Sequence, residues 1–232
     1  MNNNLSDVYR EIKNCSSCPL MNREKFLRRC DAVYNNCDVF IISQALAERQ
    51  LRLSGVNFFG VDGLAGNTGK NLEAFLDRFD RTIYPLTDIQ LSDTVLIPKS
   101  REGFLPVYNT EITQCFPGKA AKGDRKPSEE EMSSCIDKGF LIKEMEIIKP
   151  KLLLLMGKLS RDSFFRYVLK ESYPESLSEH IASIVGSEIP VKVVRDLHVS
   201  VLPIQHASGA NPNFSKMLKN DRLIELIRKV LV

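Results

Sequence analysis

The fold of this chain is decided by Thr110–Cys135, which reads TEITQCFPGKAAKGDRKPSEEEMSSC. Its first residues are rich in β-branched side chains and predict a strand. The strand is expected to end at Phe116-Pro117-Gly118, because proline lacks a backbone donor and glycine permits a tight turn. Ser128 and Glu131 then have the spacing of a capping box, so a helix is predicted to begin there. We expect this helix to continue to Ile148.

Two cysteines of this stretch lie on rigid elements, one at the end of the strand and one about two turns into the helix. A C-x-x-C pair near the amino terminus supplies two further thiols. Four cysteines at this uneven spacing suit a [4Fe–4S] cluster at least as well as zinc, while unrelated free thiols remain an alternative. Cys30 and Cys37 are left over and are interpreted as buried free thiols. The predicted metal ligands are Cys15, Cys18, Cys115 and Cys135.

Length and composition indicate a soluble α/β protein. The chain has 232 residues, of which 43% are hydrophobic and 26% charged, and we expect residues 1–232 to form a single domain with an N-terminal Cys-x-x-Cys segment. The longest apolar run, Leu152–Met156, is far shorter than the roughly 20 residues that cross a bilayer. The first residues lack an apolar signal core. We therefore expect a cytoplasmic, nucleoid or nuclear monomer that is neither secreted nor membrane-bound.

Buried strands alternate with helices along the chain. Asp38–Ser43, Leu152–Met156 and His198–Ile204 are short runs of apolar and β-branched residues, typical of strands that are covered on both faces. Helices between them favour a mostly parallel sheet with helices on both faces. We interpret Glu171–Gly186 as a polar, poorly periodic insertion, and Phe214–Leu231 as one closing amphipathic helix.

Candidate ligand-binding residues follow the predicted strands. A long loop, Gln44–Gly69, comes after the first buried strand, where α/β proteins place ligands. Within it, Phe58 could stack on a planar base, or it could simply fill core. His206 lies just past the last strand and could donate a hydrogen bond to a developing anion, or it could be satisfied within a turn.

Basic residues cluster in two places although the net charge is only +3. If the four cysteines share one site, these clusters meet on one surface suited to phosphates. The alternative is two ordinary solvated basic stretches. The first cluster comprises Arg23, Lys25, Arg28 and Arg29, and the second Lys119, Lys122, Arg125 and Lys126.

The order of several short motifs resembles the iron–sulfur uracil-DNA glycosylases, family 4 of that superfamily. The matching segments occur in the family's order between about residue 10 and residue 212. They are Cys15-Ser-Ser-Cys-Pro-Leu20, Gly55-Val-Asn-Phe58-Phe-Gly60, Cys115-Phe-Pro-Gly118, Pro127 to Cys135, Leu155-Met-Gly157 and His206-Ala-Ser208.

The resemblance implies a three-layer α/β fold with a central, mostly parallel four-stranded sheet flanked by helices. It also implies a hydrolase that flips a damaged or modified base out of DNA and cleaves its bond to deoxyribose. Phe58 would stack on the base, His206 would donate to the departing base oxygen, and the iron–sulfur cluster would be structural. The other implied substrate-binding residues are Asn109, Ser43, Ala45 and Ser208, and the implied DNA-binding residues are Arg125, Lys126, Lys122, Ser208, Gly209 and Asn211.

The chain departs from the family at its catalytic positions. The family carries a carboxylate after its first strand, where this chain has Gln44, and an amide can orient water but cannot act as a general base. The family's base-reading asparagine aligns with Glu111, and Asn109 lies two residues earlier on the same strand face. Glu111 could alter base specificity or could replace the missing water-activating carboxylate.

A third interpretation is that the chain kept the fold and the DNA surface but lost catalysis. It would then be a catalytically silent iron–sulfur protein that binds nucleic acid. A zinc-stabilised scaffold unrelated to DNA is a further alternative.

Overall fold

The computed structural model describes residues 4–20, 37–45, 47–48, 57–60, 63–64, 66–92 and 95–232. The first predicted basic cluster, at residues 23–29, and Cys30 lie outside the described residues. In chain order the strands are β1 Val39–Ala45, β2 Phe59–Gly60, β3 Gly63–Leu64, β4 Arg81–Thr82, β5 Ile89–Ser92, β6 Val95–Ile97, β7 Leu105–Pro106, β8 Tyr108–Thr113, β9 Leu152–Met156, β10 Val191–Val194 and β11 Leu197–Ile204.

Helices precede, separate and follow these strands. They are α1 Leu5–Asn14, α2 Gly66–Asp77, α3 Glu129–Asp137, α4 Phe140–Ile148, α5 Lys158–Ser163, a π-helix Phe164–Leu169, α6 Leu177–Val185, α7 Pro212–Leu218 and α8 Asp221–Leu231. Within the described ranges, no helix has the length and apolar character needed to cross a bilayer.

A five-stranded sheet forms the centre of the molecule, in the order β10-β11-β9-β1-β8. Its inner pairs are parallel, and β10 is antiparallel to β11 at one edge. The predicted α/β class with a mostly parallel sheet flanked by helices is confirmed. The resemblance implied four strands, and the fifth is this antiparallel edge, β10.

The sheet is buried because its central strands are apolar on both faces. All five residues of β9 are buried, and so are the first five residues of β1. Phe40 of β1 lies in register with Leu153 on one side and Tyr108 on the other. Helices must cover both faces of such strands. Since the strands run in parallel, their carboxyl ends meet at one edge, where α/β proteins bind ligands.

Two helices predicted as continuous are each broken in two. The capping box of Ser128 and Glu131 opens α3 as predicted. The predicted helix Ser128–Ile148 then breaks at Gly139, whose φ of +73° lies in the left-handed region that favours glycine. The predicted helix Phe214–Leu231 breaks near Asn220, whose side chain accepts a hydrogen bond from the Leu223 amide and caps α8.

The segment interpreted as a polar insertion contains a helix, so that interpretation is wrong. Ser176 caps α6, and the buried residues of this helix form a stripe at helical spacing, namely Leu177, His180, Ile181 and Ile184. Polar residues between them conceal the stripe in the sequence. His180 is buried and its ring meets the edge of Phe165.

Candidate functional site

A pocket of about 280 Å³ opens beyond the carboxyl end of β1. This is the edge of the sheet at which the topology predicts a ligand. Its lining combines amides, small residues, one aromatic ring and one imidazole. The lining residues are Ser43, Gln44, Ala45, Ala47, Asn57, Phe58, Gly66, Thr68, Met156 and His206.

The last residues of β1 form one wall of this pocket. Ser43 is buried, lies in register with Glu111 of β8, and donates a hydrogen bond from Oγ to the carbonyl of Thr110 at 3.3 Å. Gln44 and Ala45 follow where the strand emerges and are only half-buried. A rigid strand end therefore presents an amide side chain to the pocket.

Phe58 adopts a backbone conformation that aromatic residues rarely occupy. Its φ is +66°, and its side chain is buried although it lines the pocket. Such a conformation costs on the order of 1–3 kcal/mol and persists only where surrounding contacts enforce it. One such contact is the hydrogen bond from the Phe58 amide to Oδ1 of Asn57, at 3.1 Å.

His206 reaches the pocket from the loop after β11. The backbone N–H of Ser208 donates to its Nδ1 at 3.2 Å, so the neutral ring carries its proton on Nε2. Although the side chain reaches solvent, the protein packed around the imidazole desolvates its charged form and lowers its pKa from the ordinary value of 6.5. His206 is thus held as a neutral hydrogen-bond donor.

Close approaches between loops fix the position of His206. Gly157, directly after β9, has a φ of +89°, and a Cβ there would lie 3.4 Å from Cβ and 3.5 Å from Cδ2 of His206. A Cβ on Gly209 would lie 2.6 Å from Nδ2 of Asn67, in α2. Asn71 of the same helix donates to the carbonyl of Ala207 at 2.9 Å. These contacts hold the His206 loop between β9 and α2.

Cys135 lies near the other three cysteines predicted as ligands, away from this pocket. Burial raises the pKa of Cys135 to about 12, and the neighbouring thiolates of Cys115, Cys18 and Cys15 contribute to the increase. The Gln114 amide donates to Sγ of Cys135 at 3.4 Å. Among the described residues no three His, Cys, Asp or Glu side chains are arranged to hold one metal ion. Cys37, interpreted as a buried free thiol, is buried elsewhere, and its pKa is raised to about 12 by that burial and by Asp38.

The family model described as the Uracil DNA glycosylase superfamily matches residues 32–231. The chain belongs to this superfamily. The match spans the whole pocket together with Cys115 and Cys135, and it begins after Cys15 and Cys18. No curated protein matches the chain.

Five of the residues that sequence analysis assigned to a glycosylase site line the pocket together: Ser43, Gln44, Ala45, Phe58 and His206. Asn109 and Glu111 lie on β8 and are buried, but they are not among the lining residues. Glu111 instead accepts a hydrogen bond at Oε1 from Nδ2 of Asn57. The two direct roles expected for Glu111, contacting the base and activating water, therefore have no support from the pocket lining.

Sequence analysis missed Asn57, which lines the pocket and joins it to Glu111. Asn57 lies immediately before Phe58 in a segment already expected to bind the base, and this position was the only signal. Thr68 and Met156 were also missed. Met156 is the last residue of β9, so the end of a buried parallel strand was the available signal for it.

Only part of the second basic cluster is free of ion pairs to the residues that the structure describes. Arg125 makes a two-point ion pair with Glu131, at 2.7 and 2.9 Å, and donates to the carbonyl of Pro117. Lys119 pairs with Glu48 and Asp124. Lys122 and Lys126 are exposed and form no ion pair within the described part of the chain.

The remaining residues expected at the DNA surface surround His206. Ser208 is half-buried and Gly209 is exposed. Asn211 caps α7, accepting from the Asn213 amide at 3.1 Å, and donates to the carbonyl of His206 at 3.0 Å. Its side chain is therefore engaged in holding the loop that carries His206.

Proposed function

We propose that this chain is a DNA glycosylase that excises uracil or a related damaged or modified base by base flipping and hydrolysis of the N-glycosidic bond. The observation that carries the proposal is that Phe58 and His206 line one pocket at the carboxyl edge of a superfamily sheet. An aromatic face and a neutral donor are what a flipped base needs, because it must be stacked and its developing anion stabilised.

His206 would act on the leaving base. As the bond to deoxyribose lengthens, the sugar gains oxocarbenium character and the base gains negative charge. Nε2–H of His206 would donate a hydrogen bond to a base oxygen as this charge grows, since Nδ1 already accepts from Ser208. The hydrogen bond from the Ser208 N–H to Nδ1 would keep the ring oriented during this step.

Gln44 would orient the water that attacks the sugar. Its amide can donate to and accept from water, but it cannot remove a proton from it. Bond cleavage would therefore run ahead of water attack, with most of the acceleration coming from His206 and from stacking on Phe58. The proton that the water loses on bonding to C1′ of the sugar would pass, through solvent, to the departed base anion. We expect a slower enzyme than one with a carboxylate at this place.

A [4Fe–4S] cluster would be held by Cys15, Cys18, Cys115 and Cys135. The proximity of the other three thiols to Cys135 supports this assignment, since each of the four irons of such a cluster binds one thiolate. Zinc is the alternative, and it would draw four sulfurs to about 2.3 Å from one ion. When bound, the cluster would act as a structural cross-link between α1 and α3. Cys115→Ala should lose the iron of anaerobically purified protein, whereas Cys37→Ala should keep it.

The partner would be DNA containing the damaged base, held by Lys122, Lys126 and the loop Ser208–Asn211. The exposed lysines support phosphate contacts that carry no sequence information. Binding through them should weaken steeply with salt.

A second candidate function is a catalytically silent iron–sulfur protein that binds nucleic acid. The observation that favours it is that no carboxylate lines the pocket within the described part of the chain. Such a protein would bind DNA in a salt-dependent manner and release no base.

The experiment that separates these functions is base release by anaerobically purified protein with its full iron content. The substrates are oligonucleotides with uracil, hypoxanthine, xanthine or hydroxymethyluracil, each single-stranded and opposite several bases. Alkali-labile abasic sites at one of these lesions would establish the glycosylase and name its substrate. Salt-dependent binding with no abasic product on the whole panel would establish the silent protein instead.

A further inference from the structure

A buried amide and a buried carboxylate are paired at the wall of the pocket. Asn57 is 4% exposed and lines the pocket, and its Nδ2 donates to Oε1 of Glu111, whose exposed fraction is 0%. Glu111 lies on β8, and its own carbonyl accepts from Nε2 of Gln114 at 2.8 Å. The carboxylate thus contacts a pocket-lining amide without being among the lining residues itself.

Two contacts fix which end of the Asn57 amide faces which way. The backbone N–H of Phe58 can only donate, so the atom that faces it at 3.1 Å is Oδ1. At the other end, the carboxylate of Glu111 accepts from Nδ2. If the amide were turned over, Oδ1 would lie against the carboxylate oxygen of Glu111, and Nδ2 would lie against the N–H of Phe58. Its orientation is thus determined from both sides.

The amide still has hydrogen-bonding capacity for a ligand. An asparagine side chain has two N–H donors and two acceptor lone pairs, and the Phe58 and Glu111 contacts use one of each. One donor and one acceptor of the Asn57 amide remain for a ligand. They complement a base edge that offers a carbonyl oxygen beside a ring N–H.

We propose that Asn57 reads the edge of the flipped base and that Glu111 is the positioning residue that holds the amide in the orientation selecting a lactam. This inference rests on the proposed function and names its substrate class. Uracil, hypoxanthine and xanthine offer the carbonyl and ring N–H. Cytosine and adenine offer an amino group beside a bare ring nitrogen, which would require the amide to turn over.

Glu111 thereby acts without touching the base. Placed behind Asn57, it would discriminate against amino bases by preventing the amide from turning. The base-reading amide would then stand on the loop before Phe58, while the strand position that aligns with the family's asparagine holds its buried partner.

Equilibrium binding tests this inference without requiring catalysis. The probes are single-stranded oligonucleotides that carry one 2′-fluoro-2′-deoxynucleotide, with either uracil or cytosine, because the fluorine disfavours the oxocarbenium ion and blocks cleavage. Fluorescence anisotropy gives the ratio of the two dissociation constants. A two-point contact to the correct edge should favour uracil by roughly 5- to 150-fold in the unaltered protein.

Three variants locate the discrimination. Asn57→Ala should bring the ratio close to one. Glu111→Gln should lower it to an intermediate value, because a glutamine can face either end of the Asn57 amide while the Phe58 contact persists. Thr113→Val is the matched control, and it should keep the full ratio. It removes a buried β8 hydroxyl that has no hydrogen-bond partner among the described residues and does not line the pocket.

Asn57→Ala leaves Glu111 buried without this partner. A thermal unfolding transition must therefore show that the variant is folded. If it does not, Asn57→Ala/Glu111→Leu takes its place, because removing both partners avoids an unpaired buried group. An unchanged ratio in a folded Asn57 variant, or equal binding of both probes by the unaltered protein, overturns the inference. Discrimination by a protein that releases no base would support the inference and defeat the proposed function. Base release, together with an unchanged ratio of dissociation constants in the Asn57 variant, would support the proposed function and overturn the inference.

Discussion

The two halves of the sheet build the pocket in different ways. On the side of β9 and β11, apolar strands end in Gly157 and His206, and both match the motifs of the resemblance. On the side of β1 and β8, polar residues lie near the strand ends, and Gln44 and Glu111 both depart from those motifs. The group that would stabilise the departing base is retained, whereas the groups that would read the base and activate water are different.

The packing of each half explains the contrast. The residues of β9 need only to be apolar and of suitable size, and Gly157 after them adopts a φ of +89° that favours glycine. By contrast, β8 carries Asn109, Thr110 and Glu111 in buried positions, and most buried polar groups in proteins have hydrogen-bond partners. A change at Glu111 therefore requires a partner elsewhere, and Asn57 provides it.

The largest expected effect belongs to the retained half. His206→Ala removes the donor to the leaving base, so the rate of base release should fall by about 100- to 1,000-fold with little change in DNA affinity. Single-turnover cleavage and anisotropy measure the two quantities. His198→Ala, an exposed histidine at the start of β11, is the control and should retain activity. A fully active His206→Ala would remove the basis of the contrast.

A smaller effect is expected from Gly157→Ala. The new Cβ would lie in van der Waals contact with the His206 side chain, on a backbone whose φ of +89° L residues rarely adopt, so relief of that strain would shift the ring. We expect roughly a 10-fold loss of rate from displacement of the ring and a loss of about 1–3 kcal/mol in the free energy of unfolding. Gly103→Ala is the matched control, because its φ is +82° and nothing lies within 4 Å of its Cβ. It should lose stability without losing rate, and an equal loss of rate in both variants would contradict the mechanism.

The same contrast governs what could be predicted from the sequence. Strands such as Leu152–Met156 and Asp38–Ser43 were predictable because burial on both faces leaves an apolar run. His206 could be singled out because it follows a predicted buried strand, and Phe58 because it is an aromatic residue in the long loop after another such strand. The Asn57–Glu111 pair was not predictable, since it depends on a contact between residues 54 positions apart. The break at Gly139 was missed because helix propensity on both sides outweighed one glycine.

The pH dependence of base release should belong to His206 and not to Glu111. Burial lowers the pKa of His206, so the ring stays neutral as the pH falls through 6.5, and activity should decline only below that value. Protonation would place a hydrogen on Nδ1, against the N–H of Ser208. The rate should halve where half of the rings are protonated. This acidic decline should persist in Glu111→Gln and disappear from the residual activity of His206→Gln, and the opposite pattern would place the titrating group on β8.

The smallest effect is expected from the basic residues of the loop after β8, and it concerns the salt dependence of DNA binding. The sequence groups these cations together, whereas in the described part of the structure some form ion pairs and others do not. Lys126→Gln should remove one phosphate contact, which lowers the slope of log K against log salt by about 0.9 on duplex DNA. Arg125→Gln should instead lower the melting temperature with little change in that slope, because Arg125 is engaged by Glu131. Lys149→Gln is the control: Lys149 is an exposed lysine just before β9, at the edge opposite the pocket, and its loss should change neither quantity. Equal slopes for Lys126→Gln and Lys149→Gln would show that DNA does not reach this loop. The phosphate surface would then have to lie around Ser208–Asn211, on the side of the sheet that carries His206.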